Sequence, residues 1–121
     1  MAARVFARLF AALLFVFAMS VAQPAQATTL TVSMTCGITG PYPGYPGFST
    51  YSCTAHPSGG TGSYTAYTWT VYSGWYNSYT YAGAQTENFG CKHNTVRYQD
   101  VTVTDSSGAT ASASGGCYCT P

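Results

Sequence analysis

Polar and apolar residues alternate along most of this chain after residue 27. The clearest case is Val101 to Ser114, VTVTDSSGATASAS. Val101, Val103, Ala109, Ala111 and Ala113 share one parity, while threonine and serine fill most of the other. A strand shows successive side chains to opposite faces, so a period of two predicts one buried face and one wet face. Asp105-Ser106-Ser107-Gly108 breaks the run with turn formers, and the whole stretch predicts a β-hairpin. A turn centred on Ser106-Ser107 would set Asn94 opposite Cys119 and Val96 opposite Cys117.

The same reading gives further strands. Thr29 to Cys36 alternates, with Leu30, Val32 and Met34 on one side. Gly37 to Gly47 (GITGPYPGYPG) is rich in proline and glycine and predicts a loop. Phe48 to His56 places Tyr51, Cys53 and Ala55 on one face. Tyr64 to Tyr72 (YTAYTWTVY) is aromatic and β-branched throughout, with Tyr67, Trp69 and Val71 together. Trp75 to Ala82 predicts a shorter strand or an ordered loop, Ala84 to Phe89 another short strand, and Gly90 to Asn94 a corner. Thr95 to Thr104 and Ala109 to Cys119 form the last hairpin. No segment carries the helical i, i+3, i+4, i+7 repeat. Short strands separated by turn signals predict an all-β sandwich or barrel of about seven strands.

Residues 1–27 read differently. Arg4 and Arg8 precede an apolar run from Leu9 to Ala18, and Ala25-Gln26-Ala27 has the small-x-small form of a signal-peptidase site. The apolar run is short for a membrane span. The expectation is a signal peptide over 1–27, one domain over 28–121, and a secreted or periplasmic product with no membrane insertion after cleavage.

Charge then narrows the partners. Only 6% of residues are charged. Beyond residue 27 the bases are Lys92 and Arg97, and the acids are Glu87, Asp100 and Asp105. Nucleic-acid binding draws on clustered Lys and Arg, so no nucleic acid is expected as partner. No polybasic membrane patch is present either.

All five cysteines (Cys36, Cys53, Cys91, Cys117, Cys119) fall within 28–121, where export makes them disulfide partners first. Cys36 and Cys53 lie on successive predicted strands. Cys91 lies just past the hairpin end that carries Cys117 and Cys119. The favoured pairs are Cys36–Cys53 and Cys91–Cys119, leaving Cys117; Cys91–Cys117 is the alternative. A leftover thiol also allows a disulfide-linked dimer. A zinc reading competes, because Cys91, His93, Cys117 and Cys119 on neighbouring strands would make a Cys₃His cage.

Catalytic signals are absent. His56 and His93 are isolated, the carboxylates are scattered, and there is no nucleophile elbow, H-E-x-x-H or phosphate loop. The expectation is a protein that is not an enzyme and needs no cofactor. A small secreted enzyme or toxin is the least supported reading.

The chain has 11 Tyr and 2 Trp, more than a small core holds. Tyr42, Tyr45, Trp75, Tyr76, Tyr79 and Tyr81 fall in or near loops and are the candidate ligand-binding residues. Such rings stack on sugars or anchor protein interfaces.

CTAHPSGGTGSYTAYTW (Cys53 to Trp69), followed by VTVTDSSGATASAS, resembles bacterial immunoglobulin-like (Ig-like) domains of the polycystic-kidney-disease (PKD) type. The resemblance covers about two-thirds of 28–121. It implies an Ig-like antiparallel β-sandwich and a non-catalytic module for protein or surface interaction; the alternative is a carbohydrate-binding module using exposed Tyr and Trp. Two positions depart from the pattern. Thr95 to Thr104 has no cysteine for the Ig cross-sheet disulfide. Tyr98 is out of phase with Val101 and Val103, so either a β-bulge near Gln99-Asp100 restores the phase or Tyr98 faces outward.

Overall fold

The computed structural model describes residues 28–72 and 78–121. Residues 1–27, expected to be a signal peptide, and the candidate residues Trp75 and Tyr76 therefore lie outside the described residues. Among the described residues seven strands follow one another: β1 (Thr28–Pro41), β2 (Phe48–Gly60), β3 (Tyr64–Tyr72), β4 (Ser78–Gly83), β5 (Thr86–Lys92), β6 (Val96–Asp105) and β7 (Thr110–Tyr118). They form two antiparallel sheets, β1-β2-β5 and β4-β3-β6-β7. No helix among the described residues is long and apolar enough to cross a membrane.

The inner faces follow the alternation. Tyr51, Cys53 and Ala55 from β2, Trp69 and Val71 from β3, Phe89 and Cys91 from β5, and Val101 and Val103 from β6 make one buried cluster. Trp69 is completely enclosed. Its Nε1 donates to the Ala84 carbonyl at 2.8 Å, and its ring meets Phe89 edge-on at 5.9 Å. An indole N–H buried with a partner avoids the cost of an orphaned donor.

Several boundaries differ from the sequence expectation. β1 continues through Ile38 to Pro41, because Ile38 keeps the inward phase and pairs with Tyr51; a register shift between Ile38 and Gly40 absorbs the irregularity. β2 runs past Pro57, where β5 no longer pairs with it and a missing N–H is tolerated. The Gly90–Asn94 corner shrinks, since Gly90, Cys91 and Lys92 still pair with β2. The last hairpin is shifted by one from the expected register: Val96 faces Tyr118 and Arg97 faces Cys117. Partners across an antiparallel pair share a face, so Val101 must meet Ala113 for both to point inward, and it does. The turn closes from Asp105 to Ala109, with Gly108 at φ 86°, the three-residue loop ending in a left-handed glycine.

Asp105 organises that turn. Its buried carboxylate accepts from Ser107 Oγ, from the N–H groups of Ser107 and Ala109, and from Thr61 N–H across the sandwich end. These bonds, Ser107 foremost, lower its pKa.

No bulge interrupts β6 at residue 98; Tyr98 faces outward, 60% exposed, and Gln99 takes the inner position instead. Gln99 is wholly buried. Its Oε1 accepts from Tyr51 Oη at 2.9 Å, and its Nε2 donates to the sulfurs of Cys36 and Cys53, each at 2.9 Å. An amide thus reaches across the core from β6 to β2.

Candidate functional site

Three side-chain groups carry potential chemistry, and the cysteines come first. Cys36 and Cys53, directly opposed on β1 and β2, are bridged. Cys91 on β5 is bridged to Cys119, just beyond β7, with Cα atoms 6.0 Å apart. The first bridge lies within one sheet; the second joins the two sheets. The alternative Cys91–Cys117 pair is not made, and Cys117 is free and buried. The zinc reading is thereby corrected. A Cys₃His cage needs Cys91 and Cys119 as separate thiolates, and their sulfurs are bonded to each other. Burial also pushes the Cys117 thiol upward in pKa, which favours its unreactive neutral form. A disulfide between two chains through Cys117 would require this end of the sandwich to open.

The second group is a Ser–His pair that sequence reasoning missed. Ser49 is 2% exposed, and its Oγ lies 3.0 Å from His93 Nε2. The residues are 44 positions apart, so no local motif announces them. Ser49 Oγ donates to the Thr120 carbonyl at 2.9 Å. A hydroxyl has one proton, so the imidazole N–H must donate to Oγ. In that tautomer Nε2 already holds a proton and is no base toward the serine. No carboxylate side chain orients the ring. Asp105 is bound to its turn, Asp100 accepts from Tyr72 Oη at 2.5 Å, and Glu87 accepts from Ala84 N–H at 2.6 Å. The pair clasps the C-terminal segment to β2.

Aromatic residues make the third group. β4 and β5 are edge strands of different sheets, and a groove of about 380 Å³ lies between them. Tyr51, Tyr79, Tyr81, Asn88, Phe89 and Arg97 line it. Tyr79 and Tyr81 pair with Val71 and Trp69 on β3, so they extend the core face outward to the sheet edge. Their rings stack at 6.0 Å and 23°, and Tyr79 is 55% exposed. Burial, with Glu87 next in weight, pushes the Tyr81 phenol up to about 12. Burial likewise raises Tyr51 to about 12, against the opposing charge of Arg97. Both phenols therefore stay neutral hydrogen-bond donors near neutral pH.

A second hollow is lined by Tyr42, Tyr45, Phe48 and Gly90. Tyr45 sits edge-on to both neighbours, 5.5 Å from Tyr42 and 6.3 Å from Phe48. Gly90 borders both hollows, so they adjoin across β5. Tyr42 lies over this glycine: a Cβ there would stand 2.7 Å from Tyr42 Cε2.

The structure thus gathers four of the candidate ligand residues, Tyr42 with Tyr45 and Tyr79 with Tyr81, into one strip, while Trp75 and Tyr76 lie outside the described residues. Sequence reasoning missed Phe48, Tyr51, Asn88 and Arg97 as lining residues. For Arg97 a signal existed: it shares the parity of Gln99, Val101 and Val103. No protein-family model, curated protein or solved structure matches the chain.

Proposed function

We propose that this chain is an exported, non-catalytic, Ig-like module that binds a glycan chain along the aromatic strip crossing β5. The observation that carries the reading is the groove itself. Its volume lies within the range of small-ligand clefts. A stacked tyrosine pair walls it, and Asn88 and Arg97 add polar groups. Tyrosine faces suit the apolar faces of sugar rings, and amide and guanidinium groups suit their hydroxyls.

Support for the Ig-like reading comes from the strand order, two sheets joined by crossovers after β2, β4 and β5, and from Trp69 at the core centre. The fourth strand joins the sheet of β3, β6 and β7 rather than that of β1, β2 and β5. Support for export comes from the two bridges, which persist in oxidising compartments. A second reading, contact with a protein surface, is favoured by the exposed trio of Tyr42, Tyr45 and Phe48.

Calorimetric titration with a panel of soluble polysaccharides tests the glycan reading. Binding at millimolar affinity or better is expected. Tyr79→Ala should weaken it about two- to tenfold, the worth of one aromatic contact. A panel without a single binder would refute the reading.

A further inference from the structure

We infer that the sugar taken by this groove is anionic, with its carboxylate or sulfate received by the guanidinium of Arg97. This rests on the glycan reading above and narrows it to a class of saccharide.

Arg97 sits on the inner face of β6, opposite Cys117, where the next three inward residues are Gln99, Val101 and Val103. Its Nε is buried and has no hydrogen-bond partner among the described residues. Buried donors are almost always paired, and an orphan marks a place where a partner is missing. Arg97 as a whole is only half-buried and lines the groove, so the outer part of its guanidinium can meet a ligand there.

No carboxylate side chain among the described residues bonds Arg97. The sequence has only three acidic side chains. Asp105 is held by Ser107, Ala109 and Thr61 at the far turn. Asp100 is on the opposite parity of β6 and bonds Tyr72. Glu87 bonds the Ala84 N–H. Asp105 and Asp100 are engaged away from the groove, and Glu87, which reaches its rim through Tyr81, is held by the Ala84 N–H and makes no bond to Arg97. The pull of Arg97 on the titration of Tyr51 places its positive charge beside the phenol lining the groove. A planar guanidinium matches a carboxylate or sulfate through two parallel N–H donors. Tyr79 and Tyr81 would then stack on the ring that bears the anion.

The test uses the full exported chain and three trisaccharides on a common backbone: galacturonic acid, galactose and sulfated galactose. Calorimetry should show at least one charged form binding about tenfold or more tighter than the neutral one, with the gap closing at high salt. Preference for the uronic acid identifies a carboxylate ligand, and preference for the sulfated form identifies a sulfate ligand. Arg97→Gln should bring the three affinities together, and Arg97→Lys should keep part of the gap because it keeps charge without the fork. Equal affinities for charged and neutral forms in the unmodified protein would overturn the inference while leaving the glycan reading intact. So would a preference that survives in a folded Arg97→Gln variant. If none of the three binds, nor any member of the wider panel, the glycan reading falls and this inference with it.

Discussion

Replacing Gln99 with leucine tests how the core tolerates its polar centre. The side chains are close in size, so the change removes hydrogen bonding more than volume. Tyr51 is 1% exposed and its Oη donates only to Gln99 Oε1, so water does not replace the lost acceptor. Leaving that hydroxyl unsatisfied costs about 1–3 kcal/mol. For a domain of this size each kcal/mol moves Tm by roughly 4–8 °C. Tyr51→Phe leaves the opposite orphan, the Gln99 carbonyl, and costs a similar amount, about 1–3 kcal/mol. Making both changes removes donor and acceptor together, which costs far less than the sum of the single changes. Urea denaturation followed by tryptophan fluorescence, on the protein and all three variants, gives the cycle. The expected coupling is about 1–3 kcal/mol, well beyond the roughly 0.3–0.5 kcal/mol within which independent sites add. Additive losses would refute the argument and show that Gln99 acts through its sulfur contacts or its shape.

Three other outcomes follow from the geometry. Replacing Cys36 and Cys53 together with alanine opens a 17-residue loop, costing about 3 kcal/mol; an unchanged melting curve would count against it. Asp105 has a depressed folded pKa, so its stabilisation is present above the ordinary value of 3.8 and is lost as pH falls through the lower folded value. Asp105→Asn should lower Tm at neutral pH and flatten the acid side of the stability profile; an unaltered acid limb would contradict this. Gly90→Ala puts a methyl group where the Tyr42 ring lies. Tyr42 is exposed and can swing away, so Tm should barely move; because Gly90 borders both hollows, a fall in glycan affinity would show that the ligand crosses β5 there, and unchanged affinity would show that it does not.

Alternation carried much of the fold because it reports burial directly. Trp69, Val101, Val103, Tyr51 and Cys53 all sit where their parity sets them. The adjacency of Cys36 to Cys53, and of Cys91 to the end of the last hairpin, was enough to favour the two bridges that form. What escaped was polar residues facing inward. Gln99 and Ser49 occupy core positions that hydropathy assigns to solvent, and only partners far along the chain, Tyr51 for one and His93 with Thr120 for the other, make them tolerable there. The length of β1 was hidden for a related reason. Gly37, Gly40 and Pro41 signal a loop, yet pairing with β2 holds them extended. The aromatic strip was half visible: tyrosine abundance pointed to it, but joining residues 42–48 to residues 79–97 across Gly90 depends on sheet packing.

The placement of the two bridges decides how this domain would answer a mechanical pull on its ends. Tension entering at Thr28 passes through the sulfurs at Cys36–Cys53 and again at Cys91–Cys119. The stretches enclosed by those bridges, including β6 and β7, stay slack. Only the segment from Cys53 to Cys91 can unravel between them, so the module would yield by a fixed extension and then resist like a tether.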